Sequence, residues 1–126
     1  MYQVFQFRLS EEARDHLNTV GWGGDFGDFP EIAIMRDVSF AGGSDKFEPW
    51  MEEYYTEVAL IQSVEMLTMN NVFHIGNGYG VTGASITKYK PMHSMSIGDI
   101  VIAPYGNAYM CDSEGWTHIE NFKKAA

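Results

Sequence analysis

The sequence is short of cysteine, of long apolar runs and of positive charge, and each shortage excludes a class of protein. Cys111 is the only cysteine among 126 residues, so an intramolecular disulfide cannot form and a reducing compartment is expected. No apolar run approaches the ~20 residues that span a bilayer. The N-terminus also lacks the basic segment and apolar stretch of a secretory signal. These absences predict a cytoplasmic protein without membrane association.

Positive charge is scarce, because the chain has eight basic and seventeen acidic residues and therefore a net charge of −9. Residues 1–63 carry four basic and twelve acidic residues, whereas residues 64–126 carry four and five. An acidic surface repels phosphate backbones and anionic lipids, so direct nucleic-acid binding is disfavoured. We therefore expect recognition to lie in the acidic first half.

Hydrophobic residues are plentiful, at 45% of the chain, and include eight Phe, seven Tyr and three Trp. This composition supports a packed core and predicts one domain over residues 1–126. Eight methionines, together with the aromatics, could also contribute to a homo-oligomer interface.

The clearest local pattern lies in the last third of the chain. Residues 96–99 predict a tight turn with Gly98 at a positive φ. The β-branched run 100–102 that follows is typical of a strand buried on both faces. Residues 108–111 and 116–119 predict two further strands, so the tail is expected to form an antiparallel meander.

The rest of the chain alternates between strand and helix patterns. Strands are predicted at 2–9, within 55–66 and at 85–89; helices are predicted from Ser10 to Gly21, at 49–54 and from Thr68 to Gly76. Residues 31–37 fit a helix or a strand equally. The predicted fold is α+β, with a mainly antiparallel, strongly bent and partly barrel-like sheet that carries short helices.

The motif G-x-G-x-x-G occurs at residues 78–83. A dinucleotide fingerprint needs a strand before this motif and a helix that opens at it. Here the predicted order is the reverse, so the motif is interpreted as a loop.

Two sets of residues are candidate ligands for a metal ion. Asp25, Asp28 and Glu31 are spaced by three, but they lack the pattern of a calcium loop. The second set (His93, Cys111 and His118) lacks the paired spacing of a zinc site. We therefore predict no metal and no cofactor.

Catalysis is not favoured by any motif, and no catalytic residue is assigned. Cys111 is interpreted as a small apolar strand residue; its use as a nucleophile with a histidine brought near by folding stays open. The acidic run at 48–57 could supply a glycosidase-type carboxylate pair, although a solvated helix face is favoured. A small hydrolase therefore remains an alternative.

The segment 21–30 combines four glycines, two acids and three aromatics. Aromatics beside a flexible backbone and acidic groups often form a surface for a ligand or partner. Trp22, Gly24, Asp25 and Asp28 are the predicted binding residues.

A resemblance supports the interpretation of the tail. Residues 94–101 have the pattern S-x-S-x-G-D-I-V. This pattern is followed by a Gly-Asn turn, by residues 108–111 and by a Gly-Trp pair. This pattern resembles a C-terminal hairpin of small proteins from phages, plasmids and other mobile elements, the YodL-like proteins among them. The middle segment of this chain is also similar to that of these proteins, so the resemblance covers residues 54–119. The resemblance implies an origin in a phage or another mobile element and a similar kind of fold, and it supplies no catalytic residues.

The S-x-G-D strand start is also similar to that of small barrels of the PUA and ASCH kind. That resemblance implies a nucleic-acid-associated module with a basic cleft built from Lys88, Lys90, Lys123 and Lys124. The leading hypothesis is a non-catalytic accessory protein of a phage or mobile element, in the host cytoplasm, that binds another protein or itself through its acidic, aromatic first half.

Overall fold

A computed structural model of the chain describes residues 1–41, 43–120 and 122, and its centre is one antiparallel sheet. The strands are β1 (Tyr2–Phe7), β2 (Tyr55–Ser63), β3 (Ala84–Lys88), β4 (Ile100–Ile102), β5 (Ala108–Asp112) and β6 (Gly115–Ile119). Their order is β3-β2-β1-β4-β5-β6, and all neighbouring pairs are antiparallel. The predicted α+β class is confirmed. The sheet is open rather than a closed barrel, since β3 and β6 do not pair within the described ranges.

The first helix, α1 (Glu11–Val20), begins and ends where the sequence predicts. The Ser10 Oγ accepts a hydrogen bond from the Ala13 N–H at 3.1 Å, which satisfies a donor that the first helical turn leaves unpaired. Gly21, with a φ of 72°, ends the helix.

The segment that fitted a helix or a strand equally is helical. A short α2 (Ile32–Ile34) continues directly into a π-helix at Met35–Phe40. π-Helical turns are rare and often lie at functional sites, so this segment is of interest for the site below.

Three further short helices follow within the described residues. Two are 3₁₀-helices, at Ser44–Lys46 and Pro49–Tyr54. The third, α3 (Met69–Gly76), is capped by the Thr68 Oγ1, which accepts a hydrogen bond from the Asn71 N–H at 3.1 Å. The predicted cap at Thr68 is confirmed.

Apolar residues cover both faces of the sheet. On one face Phe5 and Ile100 pack with Ile32 and Val38, which come from α2 and the π-helix. On the other face Val101 packs in a cluster that includes residues of α3. The prediction that residues 100–102 are buried on both faces is confirmed.

The antiparallel meander of the tail is also confirmed. Gly98 has a φ of 94°, and the Asp99 N–H donates to the Ser96 carbonyl at 3.1 Å to close the turn. A Cβ added at Gly98 would lie 3.1 Å from the Ser39 Oγ. Glycine is therefore favoured twice here, by the positive φ and by the close approach of the π-helix, where a Cβ would force Ser39 to shift by a few tenths of an ångström.

Among the helices of the described residues, none has both the length and the apolar character that crossing a membrane requires.

Candidate binding site

One end of the sheet opens into a cavity of about 600 Å³. Phe7 ends β1, Asp99 directly precedes β4, and Cys111 and Asp112 end β5, so antiparallel neighbours bring these residues to the same end. The lining consists of Phe7, Met35, Ser39, Phe40, Phe73, His93, Met95, Ser96, Ile97, Asp99, Cys111, Asp112 and Ser113. We call this space the Asp99 cavity. It draws on both halves of the chain, not on the acidic first half alone.

A buried glutamine fastens the segment before β4 to the sheet. The Gln6 Nε2 donates to the His93 carbonyl at 2.9 Å and to the Asp99 Oδ2 at 3.0 Å. The Gln6 Oε1 accepts from the His93 N–H at 3.2 Å. Gln6 is only 3% exposed, and buried polar groups of this kind are costly when their partners are lost. The amide therefore fixes His93 and Asp99 at the wall of the cavity.

Asp99 is a buried carboxyl group, 3% exposed. Its Oδ2 also accepts a hydrogen bond from the Ser96 N–H at 2.9 Å. Burial raises the pKa of Asp99 to about 7, although the Ser96 N–H, the neighbouring His93 and the Gln6 amide each favour the ionised form. At neutral pH the carboxyl group is therefore present in both its protonated and its ionised form.

Tyr55 supports the same turn from the adjoining core. Its hydroxyl donates to the Gly98 carbonyl at 2.6 Å. Burial, followed by the charge of Asp99, raises the pKa of Tyr55 far above its ordinary value. Tyr55 therefore stays a protonated hydrogen-bond donor.

Cys111 is a buried residue of β5 that reaches the cavity. Burial, and then the charges of Asp99 and Asp112, raise the pKa of its thiol to about 11. Because the thiolate is the nucleophile, this environment does not favour the alternative in which Cys111 acts as one.

The two sets of potential metal ligands are placed differently. His93 and Cys111 share the Asp99 cavity, whereas His118 lies on β6, opposite Tyr109. The Asp25 Oδ1 instead accepts from the Gly27 N–H at 2.9 Å. Within the described part of the chain, no group of three or more His, Cys, Asp or Glu residues could hold a metal ion.

The predicted binding residues Trp22, Gly24, Asp25 and Asp28 are all exposed. The Trp22 ring packs edge-to-face on Phe40, with 5.5 Å between ring centroids. We call these two side chains the aromatic pair. Phe40 also lines the Asp99 cavity, so the Trp22 ring packs on a side chain of the cavity wall.

Gly24 has a structural reason to be glycine. A Cβ at this position would lie 2.5 Å from the Val20 carbonyl oxygen, closer than non-bonded atoms approach. The glycine thus lets the loop fold back on the end of α1 and hold Trp22 beside Phe40.

A second hollow of about 700 Å³ shares Phe7, Met35 and His93 with the Asp99 cavity. Its remaining lining is mainly charged and includes Arg8, Glu11, Arg14 and Asp15. The Asp99 cavity is the better candidate because apolar walls surround a few fixed polar groups, the usual character of a binding pocket.

The other motifs lie elsewhere. Residues 78–83 connect α3 to β3, so no helix begins at them, in agreement with the predicted loop. In the acidic run, Glu52 is buried, and Glu57 accepts a hydrogen bond from the Tyr89 hydroxyl. In the predicted basic cleft Lys88 and Lys90 are exposed, while residues 123 and 124 lie outside the described residues.

No protein-family model, curated protein or solved structure matches this chain.

Sequence reasoning missed Gln6, Ser39 and Phe40 as parts of this site. Gln6 had one recognisable signal, since it is the only polar residue in the run Val4-Phe5-Gln6-Phe7, and a buried polar residue in a strand needs partners. For Ser39 and Phe40 there was no comparable signal, because their position depends on the π-helix.

Proposed function

We propose that this protein is a non-catalytic interaction module that binds a basic segment of another protein where the aromatic pair borders the Asp99 cavity. The observation that carries the proposal is the exposure of the pair, 42% for Trp22 and 66% for Phe40, beside a cavity that Phe40 itself lines. Tryptophan is among the side chains that most often dominate binding energy at protein interfaces, and phenylalanine is enriched there.

The basic character of the partner follows from charge. The first half of the chain carries twelve of the seventeen acidic residues, and Asp25 and Asp28 lie on the same exposed loop as Trp22. Asp99 and Asp112 line the cavity, and no lysine or arginine does so among the described residues. Complementary charge guides encounter and disfavours acidic partners such as nucleic acids.

A binding role suits the polar groups of the cavity better than a catalytic one. The Asp99 carboxylate is engaged by a backbone N–H and by Gln6, and the high pKa of Cys111 keeps its thiol protonated. An origin in a phage or another mobile element is part of the same proposal, and it rests on the resemblance of residues 54–119 to YodL-like proteins.

A random peptide library, selected on the immobilised protein, tests this function without knowledge of the partner. We expect the enriched peptides to be basic and to carry an apolar residue. Their affinity should fall at least about tenfold for Trp22→Ala and for Phe40→Ala. Tyr105→Ala is the matched control, because Tyr105 is 56% exposed, packs on Tyr109 and lies outside the cavity lining.

Three results would contradict the proposal. The library could yield no enrichment, it could yield acidic peptides, or the selected peptides could bind all three variants equally. A concentration-dependent dimer that is lost in Trp22→Ala, seen by sedimentation, would identify a second copy of the chain as the occupant instead.

A further inference from the structure

We infer that the Asp99 cavity binds an alkylammonium group, the chemistry of a lysine side chain, presented by the basic segment. This inference rests on the proposed function and adds what the cavity itself recognises. The inference is based on the combination of aromatic rings and carboxyl groups in the lining of this cavity.

Three phenylalanine rings, those of Phe7, Phe40 and Phe73, line the cavity together with Asp99 and Asp112. An aromatic face attracts an organic cation, and the attraction grows when water is excluded. A carboxylate in the same space adds an ionic partner and a hydrogen-bond acceptor. Rings and carboxylates together therefore favour an ammonium group over a neutral or anionic one.

The size of the cavity agrees with this chemistry. About 600 Å³ lies within the usual range of small-ligand sites, ~300–1,000 Å³. The space accommodates the four methylene groups of a lysine and leaves room for a neighbouring apolar side chain of the same segment. Met35, Met95 and Ile97 supply apolar walls for the methylene groups.

The titratable groups around the space also suit a cation. Burial acts to raise the pKa of Asp112, but hydrogen bonds from Ser44 and Thr117 outweigh it and leave the pKa below its ordinary value. Asp112 is therefore ionised at neutral pH. The pKa of Asp99 is about 7, and an entering cation would favour its ionised form.

The test compares 2-phenylethylamine with its neutral analogue 2-phenylethanol in calorimetric titrations at about pH 8, where Asp99 is mostly ionised. We expect the amine to bind at least about tenfold more tightly than the alcohol. Asp99→Asn and Asp112→Asn should each remove most of that preference. Glu65→Gln, an exposed carboxylate outside the cavity lining, should keep it.

A second arm uses a peptide from the library, with its lysines replaced one at a time by norleucine. We expect one replacement to weaken binding at least about tenfold in the wild type and to have little further effect in Asp99→Asn. Thermal unfolding confirms that the variants are folded. If Asp99→Asn does not fold, Asp112→Asn takes its place in this experiment.

The possible failures are distinguishable. Equal binding of amine and alcohol, or no saturable amine binding, would overturn the inference, while peptide binding that still depends on Trp22 would leave the proposed function standing. Amine binding without any selected peptide would instead overturn the proposed function, and with it the assignment of the ammonium group to a partner's lysine.

Discussion

Asp99→Asn should change the pH dependence of stability more than any other single substitution in the cavity. The pKa of Asp99 is about 7 in the folded protein and ~3.9 in an unfolded chain. Between these values the folded protein holds a proton that the unfolded chain has released. The wild type therefore loses stability as the pH rises from about 4 to about 7.

The difference between the two pKa values sets a ceiling of ~4 kcal/mol on this loss. Asparagine presents a neutral amide of the same shape, whose oxygen can still accept from the Gln6 Nε2 and the Ser96 N–H. We therefore expect the variant to be similar in stability to the wild type near about pH 5 and more stable by ~2–4 kcal/mol near about pH 8.

Urea unfolding of both proteins across this pH range measures the effect. The difference between them cancels the contributions of groups that titrate alike in both. The titratable groups that face Asp99 are His93, Tyr55, Cys111 and Asp112, and the charge of the neighbouring His93 acts to lower the pKa of Asp99. Asp99→Asn in a His93→Gln background therefore serves as the control. A difference independent of pH in both backgrounds would contradict the raised pKa of Asp99 in the folded protein.

Three further outcomes follow from the structure. Gly98→Ala should cost ~1–3 kcal/mol more than Gly106→Ala in urea unfolding, because both have a positive φ but only Gly98 would bring a Cβ close to Ser39; equal costs would contradict the close approach. Tyr55→Phe should cost ~1–3 kcal/mol, since the Gly98 carbonyl would lose its buried hydrogen bond; an unchanged free energy of unfolding would contradict that bond. Cys111, with a pKa of about 11, should react with iodoacetamide at least ~100-fold more slowly than glutathione near neutral pH; comparable rates would contradict the protonated thiol.

Much of the fold could be predicted because its signals are local. The turn at Gly98, the β-branched run that follows and the caps at Ser10 and Thr68 each depend on residues close together in the chain. The segment 31–37 could not be assigned to a helix or a strand, because its apolar residues satisfy both patterns. Its π-helical part depends on packing against the sheet and the Gly98 turn.

The candidate site was harder to predict because its contacts are distant in sequence. Gln6 and His93 are 87 positions apart, and only the order of the strands brings β1 beside β4. Trp22 was predicted as a binding residue from the composition of its loop. Trp22 lies near the cavity because it packs on Phe40. The position of Phe40 depends on the helical segment that it ends, and the sequence left the beginning of that segment ambiguous.

Binding where the aromatic pair borders the Asp99 cavity is measured most directly by chemical-shift mapping in NMR, with a basic peptide from the library titrated into the isotope-labelled protein. We expect the largest changes at the Trp22 indole N–H and at the amides of Phe40, Ser96 and Cys111. Changes confined to the edge strands β3 and β6, with Trp22 and Ser96 unmoved, would contradict this expectation.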